Sequence, residues 1–362
     1  MPSTVIYTSV SQLRNTDQKK ALARFSPYIS NFQTLHNYDY KIIIKILSSL
    51  KMGKPKVLVT SSDTPRTGLD LLRDKCELTI MPQEIPTQAE VLQAIPGYDA
   101  VFLAVHHDVN SEFLDRAGPS LKVVATMSAG FDRLDVPEIK RRGIKVGHTP
   151  NVLNAAVAEI AVMLMLNAAR RAHEGRLKLE RPQFMLGQDL RDSTVGIVGF
   201  GNIGQAVLKR LCGFEVRRFL YTGHSRKKEE FGAVFVSLDD LLAQSDFVVV
   251  AVPLNNETRG LFNDDQFGKM KNTAVFVNVG RGAVVDTNAL VKALREKKIF
   301  AAGLDVTDPE PLPTDHELLK LPNAVIVPHI GSATVKTRND MSSVTAMNII
   351  NGLENKALIY PL

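Results

Sequence analysis

Residues 193–211, STVGIVGFGNIGQAVLKRL, leave few folds open. A run rich in β-branched residues ends in a glycine turn, and the turn opens directly into a helical pattern. Gly199, Gly201 and Gly204 stand at the spacing Gly-x-Gly-x-x-Gly. The first glycine makes the tight turn and the second lets backbone approach a pyrophosphate. The third lets the helix pack close to the strand, its N-terminus aimed at negative charge. The spacing alone is weak, but between a strand and a helix it predicts a dinucleotide site, with Asn202 and Ile203 completing the turn.

The surrounding chain repeats this alternation. From Lys56 onward, KVLVTSS, ELTIMP, YDAVFLAV and KVVATMSAG read as strands separated by helical stretches. Residues 154–175 read as one long helix, apolar on nearly every face, which must be covered all round. Burial within one subunit or against a second would each satisfy it. After it come the strands STVGIVGFG, VRRFLYTG, DFVVVAVP, TAVFVNVG, FAAGLDV and NAVIVPHI, with helices between, and then a long final helix. Strands alternating with helices build parallel sheets. The expected fold is α/β, with two doubly wound, Rossmann-like parallel-sheet domains, and 362 residues suffice for both cores.

The formal charge of +6 is unevenly placed. Residues 1–52 hold seven basic and two acidic side chains, so the remaining 310 residues are close to neutral and need no nucleic-acid partner. That leader is poor in acids and free of Glu, as a mitochondrial transit peptide would be. The plainer reading is a poorly ordered extension with Met52 as the working start and a cytoplasmic protein behind it. Cys76 and Cys212 form no metal or redox spacing, and no run of about 18 apolar residues predicts a membrane span.

Where a dinucleotide fold usually carries an acid for the adenosine ribose, residues 219–228 read FLYTGHSRKK. An acid there would repel a 2′-phosphate; His224, Ser225, Arg226 and Lys227 would instead donate to it. Either the cluster selects NADP(H) over NAD(H), or it is a solvated loop.

Three polar residues follow apolar strands in the C-terminal half: Arg281, Glu310 and His329. Each would project from the carboxyl edge of the sheet, where open α/β folds bind ligands. Singly, each could be structural. Together they match the needs of 2-oxo acid reduction. Arg281 offers a planar fork for a carboxylate, and His329 can give and take a proton near neutrality. Glu310 can accept the other imidazole N–H and favour the protonated ring. No metal site is expected.

With the glycine turn, NVGRGAVVD, GLDV…PEP and PHIGSAT in this order, the chain from about residue 54 resembles the D-isomer-specific 2-hydroxyacid dehydrogenase family. The resemblance implies a cofactor domain, 153–334, inserted into a flavodoxin-like substrate domain, 54–152 plus 335–362. It implies reduction of glyoxylate to glycolate and of hydroxypyruvate to D-glycerate, with Arg281, Glu310 and His329 in the roles above. By position it implies that the N–H groups of Ala129 and Gly130, with Ser332, hold substrate. Asp305 would lie near the nicotinamide carboxamide, and Pro253, Val279 and Gly331 along the cofactor cleft. It implies a homodimer through the cofactor domain, on helix 154–171. Sibling enzymes acting on phosphoglycerate or lactate, and corepressor-like dinucleotide sensors, share these marks.

Two features depart from the family pattern. The chain has no Trp, and residues 172–190 are short where relatives carry a tryptophan reaching the neighbouring active site. His224 stands where an arginine is usual, with the basic charge moved to Arg226 and Lys227.

Overall fold

The computed structural model describes residues 53–105, 107–176, 185–228 and 232–362. The leader readings for residues 1–52, and residues 177–184 of the 172–190 segment, lie outside the described residues.

Two wholly parallel sheets organise the chain from Lys54 onward. The first contains β1 (Lys56–Val59), β2 (Glu77–Ile80), β3 (Ala100–Leu103), β4 (Val123–Thr126) and β5 (Lys145–Gly147). Its order is β2-β1-β3-β4-β5, the flavodoxin order. Central strands β3 and β4 are buried at every residue, as helices on both faces of a parallel sheet require. Four helices intervene: α1 (Arg66–Arg73), α2 (Gln88–Ala94), α3 (Ser111–Ala117) and α4 (Val136–Arg141). Thr87 and Glu90 close a capping box at the start of α2, and Asn110 and Asp135 cap α3 and α4.

The chain then crosses through α5 (Asn154–Ala169) and the short α6 (Ala172–Arg176) into the second sheet. That sheet contains β6 (Thr194–Val198), β7 (Arg218–Thr222), β8 (Val234–Phe235), β9 (Phe247–Val250), β10 (Val275–Asn278), β11 (Ala301–Leu304) and β12 (Ala324–Ile326). Its order is β12-β11-β10-β9-β6-β7-β8. The chain winds outward from β6 to β8, then restarts at β9 on the other side of β6. The switch point therefore lies between β6 and β9, beside the glycine turn, where ligands bind in such sheets. Helices α7 (Asn202–Leu211), α8 (Leu238–Gln244), α9 (Asp264–Lys269) and α10 (Thr287–Arg295) cover it. Finally α11 (Val335–Leu353) returns to the first sheet: Gly352 lies against Val123, and Ser342 donates to the Pro65 carbonyl at 2.9 Å.

The expected doubly wound α/β class holds for both sheets. One expected element does not. The helix read through residue 175 ends at Ala169, because Arg171 adopts a left-handed conformation (φ +54°) and the chain restarts as α6. What the apolar pattern anticipated correctly is burial: Ala158, Ala161, Leu164, Met165 and Ala168 are enclosed, with Leu164 seated against Gly303 of β11. Truncating Leu164 to alanine would cost about 2–5 kcal/mol. Among the described residues, no helix is long and apolar enough to cross a membrane.

Candidate active site

The glycine turn shows three different uses of a missing side chain. Gly199 has φ +94°, and a Cβ there would lie 2.7 Å from Val252 and 2.8 Å from the Ala251 backbone. A Cβ at Gly204 would strike the Gly199 carbonyl, so this glycine lets α7 lie close on β6. A Cβ at Gly201 would meet nothing within 4 Å. Gly201 also caps the N-terminus of α7 without a side-chain acceptor of its own. An open cradle at a helix N-terminus suits the pyrophosphate of a dinucleotide, so these residues fit the group the motif implies. Asn202 donates to the Asn151 side chain at 2.6 Å, which anchors the first turn of α7 to the crossover preceding α5.

The end of β7 lies next to this turn. Val198 and Thr222 are in register, and the Thr222 carbonyl accepts from Gly199 N–H at 3.0 Å. Thr222 thus stands at the end of the second strand, with no acid beside it in β7. His224, Ser225, Arg226 and Lys227 follow, all exposed. The turn is tethered where Lys227 N–H donates to the hydroxyl of buried Tyr221 at 2.9 Å. His224 Nε2 lies 3.6 Å from a carboxylate oxygen of Glu257, an acid supplied from the loop after β9. Pro253, on that same loop, is exposed, and its carbonyl accepts from Thr258 at 2.7 Å. Val279, just past β10, is buried.

Arg281, Glu310 and His329 follow three adjacent strands. Asn278 of β10 is in register with Leu304 of β11, and Leu304 with Ile326 of β12. Hydrogen bonds continue beyond the strand ends. Asn278 Nδ2 donates to the Arg281 carbonyl at 2.9 Å, Asp305 N–H to Asn278 at 3.0 Å, and His329 N–H to the Asp305 carbonyl at 2.8 Å. Gly282 has no room for a Cβ because the Thr307 backbone fills that space. The three candidates therefore share one sheet edge.

His329 sits in the left-handed region at φ +51°, a conformation that costs about 1–3 kcal/mol for a residue of this kind. Asp305 holds it there. Its carboxylate, 2% exposed, accepts Ile330 N–H at 2.8 Å and Gly331 N–H at 3.0 Å. Burial pushes the Asp305 carboxyl above the usual carboxylate range, while nearby His329 and the two N–H donors pull it back. Glu310, flanked by two cis prolyl peptides, reaches the imidazole, with Nδ1 and Oε1 2.6 Å apart. A carboxylate can only accept, so Nδ1 carries the proton, and exchange with a substrate would run through Nε2. Ser332 follows Gly331 in the same turn.

Arg281 points the other way, toward the first sheet. Its Nε donates to Asp132 at 2.9 Å, its Nη1 to the Gly280 carbonyl at 3.1 Å, and Nη2 abuts Gly130, where no Cβ could fit. Ala129 and Gly130 lie on the loop after β4. The Ser128 carbonyl accepts from Thr149 N–H at 2.9 Å, and the Ala129 carbonyl from His148 Nδ1 at 3.0 Å. In a trans peptide the N–H points opposite to its own C=O. The N–H groups of Ala129 and Gly130 therefore both face away from residues 148–149, and neither donates to an acceptor among the described residues. Two adjacent outward N–H groups are an arrangement that can receive an anion.

Asp132 and His148 did not emerge from sequence reasoning. Under the same loop lies a cavity of about 10 Å³, lined by His107, Gly130, Asp132 and Arg133 among others. Burial and the Arg133 charge hold the His107 imidazole below its ordinary pKa, so it sits there neutral.

Comparison with known proteins gives a consistent result. Residues 162–331 match the family model described as "D-isomer specific 2-hydroxyacid dehydrogenase, NAD binding domain". The chain is 48% identical over 294 residues to glyoxylate reductase/hydroxypyruvate reductase of Homo sapiens, covering 78% of this chain and 90% of that protein. It is 44% identical over 312 residues to glyoxylate reductase of Thermococcus kodakarensis, covering 82% and 92%. Among solved structures, NADPH-dependent glyoxylate/hydroxypyruvate reductase of Sinorhizobium meliloti, in complex with NADP and malonate, superposes with a TM-score of 0.76. It shares 31% identity, covering 86% of this chain and 97% of that one.

Proposed function

Because the chain belongs to the D-isomer-specific 2-hydroxyacid dehydrogenase family, we propose that it is an NADP(H)-dependent reductase of glyoxylate and hydroxypyruvate, producing glycolate and D-glycerate. The observation that carries this reading is the placement of Arg281. It follows β10 on the edge shared with Glu310 and His329, yet its guanidinium lies against Gly130 of the other sheet's loop. A small 2-oxo acid bridging that gap would meet cationic and N–H donors at its carboxylate and an imidazole at its carbonyl oxygen.

The nicotinamide dinucleotide, when bound, supplies the hydride. The residues of this chain do the rest. Arg281 Nη2 and the N–H groups of Ala129 and Gly130 bind the substrate carboxylate and fix the carbonyl's direction. His329 Nε2 hands its proton to the carbonyl oxygen as that oxygen gains charge. Glu310 stays on Nδ1, fixing the tautomer and balancing the imidazolium. Asp305 keeps the His329–Gly331 turn in place. For 2-hydroxy acid oxidation the same proton runs back to Nε2.

At the far end of the cofactor, Thr222 removes the usual repulsion of a 2′-phosphate, and Arg226 with Lys227 supplies positive charge. On α5, Val162, Met163 and Leu166 remain partly exposed along one side, a face suited to a second copy of the chain. Light scattering on the purified protein reads that directly.

Following cofactor oxidation with glyoxylate, hydroxypyruvate and pyruvate, each with NADPH and NADH, tests the assignment. Turnover of the first two with NADPH in preference to NADH is expected. Preference for pyruvate would reassign the chain to a lactate-type sibling, and no turnover with any acid would reject catalysis of this class.

A further inference from the structure

The loop that faces Arg281 is set from behind by one side chain. We infer that His148 is a positioning residue for substrate, aiming and polarising the Gly130 N–H through the other end of the same peptide group. This inference rests on the reading that Ala129 and Gly130 hold the substrate carboxylate.

Its basis is local geometry. The Ala129 carbonyl and the Gly130 N–H belong to one planar unit. His148 Nδ1 lies 3.0 Å from that carbonyl oxygen, and a carbonyl can only accept, so Nδ1 carries the proton. Donation there fixes the plane and withdraws charge toward the carbonyl, which strengthens the N–H opposite as a donor. The neighbouring peptide is set in the same sense by Thr149 N–H on the Ser128 carbonyl at 2.9 Å.

His148 is itself held on three sides, twice through its backbone and once through its ring. His148 N–H donates to the Tyr360 carbonyl at 3.1 Å, and its own carbonyl accepts from Asn348 Nδ2 at 3.0 Å. Asn348, fully buried in α11, also accepts the N–H groups of Ile359 and Tyr360 through Oδ1, at 2.8 and 3.1 Å. The Phe131 ring meets the imidazole edge to face, with centroids 5.7 Å apart and planes at 86°. Phe131 is 46% exposed and belongs to the same loop, so the ring contact braces the segment between Gly130 and Asp132. Burial also lowers the His148 pKa, which keeps a second proton off the ring near neutrality.

Two substitutions separate the donor from the ring. His148→Phe keeps an aromatic partner for Phe131 and removes the N–H; His148→Asn removes the ring and keeps an amide N–H near the Nδ1 position. With NADPH saturating, His148→Phe should raise KM for glyoxylate about 5- to 10-fold, the worth of one hydrogen bond, while kcat changes less. His148→Asn should stay within about twofold of the parent, as expected when the donor is conserved. The Kd for NADPH should be unmoved in both. A parental KM in His148→Phe, a KM raised equally in both variants, or a matching loss of NADPH affinity would each overturn the role.

A second measurement isolates the underlying reading. In 15N-glycine-labelled parent protein, oxalate, a non-reacting carboxylate, should move the Gly130 amide resonance. If that amide ignores oxalate, the loop is not the carboxylate site and this inference falls with it. If it responds while His148→Phe keeps its parental KM, only the role of His148 is lost.

Discussion

In the proposed function the turn that carries His329 and the turn that carries Arg226 serve opposite ends of one cleft, and they are built differently. At His329 almost every backbone direction is specified: β12 leads in, the Asp305 carbonyl takes one N–H, and its buried carboxylate takes the next two. Glu310 then fixes the ring. At Arg226 the side chains stand in solvent on a turn tethered to the Tyr221 hydroxyl. Proton transfer needs an atom placed within a few tenths of an ångström, so the chain commits buried hydrogen bonds to it. Discrimination by charge acts over longer range and tolerates mobile side chains, at the cost of screening by salt. Substitutions at the first turn should therefore act through geometry and be large. Those at the second should act through charge and be smaller.

The largest expected effect is at His329. His329→Ala should lower kcat about 10²- to 10⁴-fold, the usual worth of a positioned acid–base group. The Kd for NADPH, followed by fluorescence titration, should stay at the parental value. An undiminished rate would assign the proton to another group and dissolve the contrast. Next comes Glu310→Gln, which keeps an oxygen for Nδ1–H but removes the charge. Hydrogen bonds to charged groups are worth about 1.5–3 kcal/mol, so kcat should fall about 10- to 100-fold. A kcat close to the parental value would mean that orientation, not countercharge, is Glu310's contribution.

At the adenosine end, Thr222→Asp places a carboxylate where β7 meets the glycine turn. The ratio of kcat/KM for NADPH over NADH should fall about 10- to 100-fold, since like charges brought together at a site cost several kcal/mol. With NADH, kcat itself should be preserved, because Thr222 lies at the other end of the cleft. A fall in kcat with both cofactors would show the two turns to be mechanically coupled.

The same contrast explains what could be read from the sequence. Gly199, Gly201 and Gly204 were legible because backbone sterics dictate their spacing. Arg281, Glu310 and His329 were legible as polar residues directly after apolar strands, where the sheet edge is the only exit. Asp132 was not, since "AGFDRLD" looks like any polar turn and its partner Arg281 lies 149 residues away. His148 was hidden for a related reason. Its hold on Ala129 exists only once β4 and β5 pair in parallel. The break in the long apolar helix also left no signal, because the left-handed residue is Arg171 rather than Gly or Asn. Local periodicity shows where a strand or helix runs. It does not show which distant loop a polar side chain will reach.

Glu257 is the subtlest test of the charge-based end. The cluster after β7 lacks an acid of its own, yet the fold brings one to it from the loop after β9, 3.6 Å from His224. Both side chains are more than 70% exposed, at 78% and 72%. An acid at that place opposes a 2′-phosphate, and it also engages the His224 imidazole when that ring is charged. Exposed pairs of this kind contribute little, so Glu257→Gln should improve KM for NADPH by only about twofold. The gain should fade as ionic strength rises and the Debye length shrinks below the separation of the charges. KM for NADH, which brings no phosphate to this loop, should stay constant. A gain that survives high salt, or that appears equally with NADH, would mean that Glu257 shapes the loop rather than its field, and the adenosine end would then be built by the same fixed geometry as the His329 turn.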